Sequence, residues 1–159
     1  MPAVHRLSAE LYEEDFELIA LHSRLEDYAL AYALNLYLKT GFGRRRKDLD
    51  ISGQVTIPIF EWKDDSNERY WTFFANYGIM EDESLKDGLF KDEPFYRGFH
   101  LVPEYRETDY FLKIEQESPD SVREVENQNL VKALQRIPKV TMAYSVNTDR
   151  LKSKNNLIF

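Results

Sequence analysis

The sequence predicts one α+β domain in which two helices pack on one face of a mostly antiparallel sheet. Two segments repeat apolar residues at helical spacing, and short alternating runs lie before, between and after them. Aromatic rings supply the third observation. Of 10 Tyr, 10 Phe and 2 Trp, 14 rings fall between Phe60 and Phe111, which marks an aromatic-rich sheet. The simplest layout is an elaborated split βαβ, ferredoxin-like layer with extra hairpin structure inserted in its middle. At 159 residues the whole chain, 1–159, reads as a single domain.

Phe16 to Leu21 is short and apolar on both sides, behind the acidic cluster Glu13-Glu14-Asp15, and reads as a strand buried on both faces. Ser23-Arg24-Leu25-Glu26 has the spacing of a capping box and opens a helix. Its predicted inner stripe is Leu25, Tyr28, Ala29, Tyr32 and Leu36, widened by Leu30, Leu34, Tyr37 and Leu38. Asp27, Ala31 and Asn35 mark the outer side, and Gly41 supplies a left-handed stop after Lys39.

Leu49 to Trp62 alternates as a strand, placed at an edge or bulged because Pro58 has no N–H to donate. Lys63 to Glu68 is a turn, and Arg69 to Tyr77 returns as the antiparallel mate, ended by Gly78. Residues 79–98 hold six acidic and three basic side chains with few apolar anchors and predict a long, partly mobile surface connection. Phe99 to Pro103 and Asp109 to Glu115 predict a second hairpin around Glu104 to Thr108, with Tyr110, Leu112 and Ile114 facing the core. A second helix starts at the capping-box spacing Ser121 to Glu124. Its inner face is read as Val122, Val125, Leu130, Ala133, Leu134 and Ile137, and Pro138 stops it. Val140 to Val146 is a last strand. The tail, 147–159, ends in Leu157-Ile158-Phe159, which should pack on its own domain or on a second copy.

Composition narrows the function. No cysteine is present, which removes disulfides, thiolate metal sites and cysteine nucleophiles together. No apolar stretch reaches the ~18 residues a membrane span needs, and no leader is visible behind Met1, so the expectation is a cytoplasmic protein with no membrane role. A net charge of -7 argues against nucleic acid as a partner. Gly41 to Lys47 holds glycines and four basic residues but follows a helix. A phosphate loop precedes one, so a solvated basic strand is the better reading.

The three histidines, His5, His22 and His100, share no ligand spacing. Asp48 and Asp50 share one side of a strand, a pattern that suits Mg²⁺ but more often faces water. No metal and no cofactor is expected. The remaining candidate is Val102 to Tyr110. Glu104 and Asp109 flank the predicted loop, and a carboxylate pair in unlike environments performs acid–base work. Carboxylates beside turns more often cap backbone N–H groups, and the structural role is the stronger reading. Glu104, Tyr105, Arg106 and Asp109 are the candidate binding residues.

The same segment, Val-Pro-Glu-x-x-x-Thr-Asp-Tyr, resembles the signature of the bacterial IPExxxVDY family. Similarity extends through Leu25-Glu26-Asp27-Tyr28, Phe60-Glu61-Trp62 and the ending Leu151 to Phe159, so it spans nearly the whole chain. Val102 stands where the family name has Ile, and Thr108 where it has Val. The resemblance implies a small cytoplasmic protein and brings no catalytic residue with it. The leading expectation is a non-enzymatic interaction or regulatory module that binds a protein partner or itself as a homodimer. The alternative is a small-ligand sensor or enzyme using a cleft near Glu104, Arg106 and Asp109.

Overall fold

The computed structural model describes residues 15–51, 53–81 and 96–159, and the expectation of a mobile connection falls largely outside them. The elements in order are β1 (Glu17–Ser23), α1 (Asp27–Leu38), β2 (Gly43–Arg44), β3 (Leu49–Ile51), β4 (Val55–Ile57), β5 (Ile59–Asp64) and β6 (Arg69–Ala75). They continue with β7 (Tyr77–Glu81), β8 (Tyr96–His100), β9 (Tyr110–Gln116), α2 (Asp120–Gln135) and β10 (Val140–Val146). The main sheet runs β10-β1-β9-β6-β5-β2, and every neighbouring pair in it is antiparallel. Within it, β1-α1-β6 and β9-α2-β10 form the split βαβ frame, with β5 and β2 added at one edge.

Both faces of the sheet are buried. Ile19 and Leu21 of β1, Phe73 of β6 and Tyr110, Leu112 and Ile114 of β9 pack under the helices, on Leu30, Leu34 and Leu134. Leu18 and Ala20, Phe74 and Phe111 point the other way, onto Val55, Ile57, Leu101, Val102 and Leu157. The second face is therefore covered by the β3–β4 hairpin, the 101–102 segment and the chain's own end. Leu157 is fully buried and the Phe159 ring meets Phe74 edge-on, so the tail docks on its own domain.

Several local expectations are corrected. Ser23 does not cap α1. It is the last residue of β1, where its Oγ donates to the Lys139 carbonyl at 2.8 Å and accepts the Leu25 N–H, while Glu26 stands at the helix start without a side-chain cap. The expected inner face of α1 is rotated. Leu30, Ala31 and Leu34 are buried, whereas Tyr28 and Tyr32 are 67% and 69% exposed. The sheet takes the narrow aliphatic stripe because its own face already carries the rings Phe60, Trp71 and Phe73. Lys39, not Gly41, takes the left-handed stop at φ 58°. Gly41 is small for another reason, since a Cβ there would stand 3.0 Å from the Trp62 indole.

Pro58 neither bulges nor edges a continuous strand. It separates β4, in the small hairpin, from β5, in the main sheet. Gly78 does not end a strand but lies inside β7, where a Cβ would meet Val55 at 2.7 Å. Residues at both ends of the expected connection are paired, Ile79 with Gly98 and Met80 with Arg97. The expected hairpin of Phe99–Pro103 with Asp109–Glu115 does not form. β8 pairs with β7, and β9 lies between β1 and β6. α2 begins two residues earlier than the capping-box reading, with Pro119, not Ser121, at the N-cap and without a side-chain cap. Its Val122 and Val125 are exposed, and Asn127 and Leu134 face inward.

Candidate functional site

The segment from Val102 to Tyr110 is wound around one side chain. Asn76 follows β6, and its fully buried amide reaches across to this segment. Its Nδ2 donates to the carbonyls of Tyr105 at 2.9 Å and Thr108 at 3.2 Å, and its Oδ1 accepts the Val102 N–H at 2.7 Å. The Asn76 backbone completes the lock, donating to the Asp109 carbonyl and accepting from the Leu101 N–H. One asparagine thus takes the place of a ladder. Pro103 opens a short 3-10 turn, Pro103–Tyr105, as its fixed φ allows.

Each candidate residue has a distinct neighbour. Glu104 accepts the Ser153 N–H at 2.9 Å and the Ser153 hydroxyl at 2.6 Å, which ties the segment to the tail. Burial pushes its carboxyl up, but the Ser153 bonds outweigh that and hold it below its ordinary value. The Tyr105 ring stands edge-on to Phe111 and tilted against Tyr144. Thr108 is buried, with its hydroxyl 3.0 Å from the Tyr144 hydroxyl, which in turn lies 3.1 Å from His22 Nε2. Asp109 accepts the Ser23 N–H at 2.9 Å, at the junction of β1 with α1. Tyr110 donates to the Leu25 carbonyl at 2.6 Å, and burial with the nearby Asp27, Glu26 and Asp109 carboxylates pushes its hydroxyl up to about 12.

The expected pairing of Glu104 with Asp109 is therefore corrected: the two carboxylates hold different elements, the tail and the end of β1. Arg106 and Asp109 do line one open groove of about 680 Å³ with Ser23 to Asp27, Tyr77 and His100, and Glu104 lies outside it. The other sequence candidates are likewise engaged. Asp48 binds Arg44 at 3.0 Å, Asp50 caps the Gly53 N–H, and Arg45 bridges Glu61 and the Tyr70 hydroxyl. His100 packs against the Tyr77 ring. His5 lies outside the described residues.

A larger groove, about 1280 Å³, runs between α2 and β10. At its end Arg123 holds Asp15 at 2.7 Å, reaches Glu17 at 4.0 Å and also binds Asp120. Burial raises the Glu17 carboxyl above its ordinary value despite Arg123. The same contacts also fasten the start of α2 to the start of β1. Glu17 and Arg123 were not singled out in the sequence, because nothing in their spacing announces that a strand and a helix 106 positions apart meet. No protein-family model matches the chain, and no curated protein does.

Proposed function

We propose that this chain is a cytoplasmic, non-enzymatic interaction module of the IPExxxVDY family, and that its partner surface is the outer face of α1. The observation that carries this reading is the row Tyr28, Tyr32, Leu36 and Tyr37, all about half or more exposed. Helices of soluble domains turn charge to water; this one turns three phenols and a leucine. Tyrosine is favoured at protein contacts because it adds large area with little rotamer entropy and a polar tip. Against a ligand site in the Arg106 groove stands the engagement of Asp109 with Ser23. Nucleic acid is a poor partner for a chain of net charge -7 whose Arg44 and Arg45 are already paired with Asp48 and Glu61.

Replacing Tyr28, Tyr32 and Leu36 together by Gln tests the reading. None of the three supports the core, so the melting temperature should hold within a few degrees. A protein that co-purifies with the natural chain from its own cells should be lost. Retained partner binding contradicts the α1 surface. Thermal stabilisation of the chain by a small metabolite supports the ligand reading instead.

A further inference from the structure

We infer that two copies of this chain pair antiparallel through the free edge of β10, about a two-fold axis at Ala143. This rests on the interaction-module reading and names one partner, a second copy, on a surface separate from α1. Among the described residues β10 pairs with β1 alone, so one side of a seven-residue strand presents open backbone donors and acceptors. Such edges are ordinarily shortened or guarded by charge or proline. The opposite edge of this sheet is guarded: β2 has two residues, and Arg44 within it and Arg45 just after it are charged and ion-paired. β10, Val-Thr-Met-Ala-Tyr-Ser-Val, has neither charge nor proline.

Its sequence is nearly symmetric about its centre. Pairing on Ala143 sets Thr141 beside Ser145 of the second copy and Met142 beside Tyr144, while Val140, beyond the bulge, stays on the helix side with Ala143. A two-fold contact needs this self-complementarity, because each residue meets its counterpart in reverse order. Met142 is 53% exposed in the single chain and gains a ring to pack against. Exposed Lys139, just before β10, comes next to Asn147 to Asp149 of the second copy, and Asp149 is also exposed.

Two local features shape the pairing. The Gln135 amide donates to the Ala143 carbonyl at 3.0 Å, so a side chain, not a strand, occupies that carbonyl and must yield to the second copy. The register of β10 against β1 shifts between His22 and Ser23, which twists the Val140 end and leaves Met142 to Val146 regularly paired. Space is available, since the larger groove opens along Ala143 to Val146. A contact of one strand on each side is small among stable interfaces, so the dimer should dissociate on dilution.

Sedimentation across a concentration series tests this on the full chain. The natural chain should move from the mass of one copy to that of two as concentration rises. Thr141→Lys with Ser145→Lys sets like charges opposite each other twice and should remain a single copy throughout. Thr141→Lys with Ser145→Glu should restore the dimer, because the introduced lysine of each copy then faces the introduced glutamate of the other. Within one strand those positions stand about 13 Å apart and cannot pair with each other. Amide exchange on the natural chain gives an independent readout, with Ala143 and Ser145 slowing as concentration rises. A natural chain of single-copy mass throughout, or equal dimerisation by the Lys/Lys variant, overturns the inference. So does a Lys/Glu variant that melts like the natural chain and stays single, or exchange that ignores concentration. Each outcome leaves the α1 surface untouched, since that is read from a different partner and different residues.

Discussion

Asn76 holds the 101–109 segment to the end of β6. Its side chain satisfies the Val102 N–H and carbonyls along the following loop from a position with no solvent access. Asn76→Ala orphans these buried groups at once, and each orphan costs about 1–3 kcal/mol before relaxation. A loss of about 2–4 kcal/mol in denaturant unfolding is expected. Asn76→Asp keeps the acceptor but turns a charge toward carbonyl oxygens, so it should fare no better than Ala. Tyr110 adds a pH signature. Its folded-state value near 12 lies above the ordinary 10.0, so its contribution is intact below pH 10 and disappears as pH rises toward 12. Tyr110→Phe should flatten that alkaline limb in pH-dependent melting. A limb that persists in the Phe variant contradicts the assignment.

Elements were legible where burial follows period and illegible where a loop decides. β1 reads correctly because its apolar residues leave no polar side, and both of its faces are in fact covered. α1 reads correctly as a helix and wrongly as to which side faces inward, since its tyrosines and leucines both recur at helical spacing. Only the sheet's existing rings choose the aliphatic side. The 102–109 segment reads as a hairpin loop because a proline and polar residues separate two alternating runs; the partner that folds it, Asn76, sits 26 positions away. The tail was expected to dock. The structure adds its fastenings: Lys113 Nζ donates to the Leu157 carbonyl at 2.7 Å, and Asn156 donates to the Leu101 carbonyl. Removing residues 157–159 uncovers Phe74 and Phe111 and should lower stability by about 2–4 kcal/mol. Glu104→Ala should loosen the tail less, seen as faster exchange of the Ser153 amide. The Glu104 contribution is present at neutral pH and lost as pH falls through its lowered folded-state value. An unchanged melt on truncation contradicts cis docking.

The whole molecule is a layered sheet closed on one face by helices and on the other by hairpins and its own tail. The segment from Val102 to Tyr110 joins these parts: Glu104 holds the tail, Thr108 meets β10 through Tyr144, Asp109 holds the end of β1, and Tyr110 holds the turn before α1. Its most distinctive residues are thus spent on assembly. The layered α+β class was visible in composition and period. The joining role was not, because each of those bonds spans dozens of residues and no local pattern encodes it.

The most direct test of that role is the urea-unfolding midpoint of Asp109→Ala. A loss of about 0.5–2 kcal/mol is expected, the cost of a missing side-chain cap, with partner binding intact in the folded fraction. An unchanged midpoint together with the disappearance of a measurable turnover would contradict it, and would make the segment an active site.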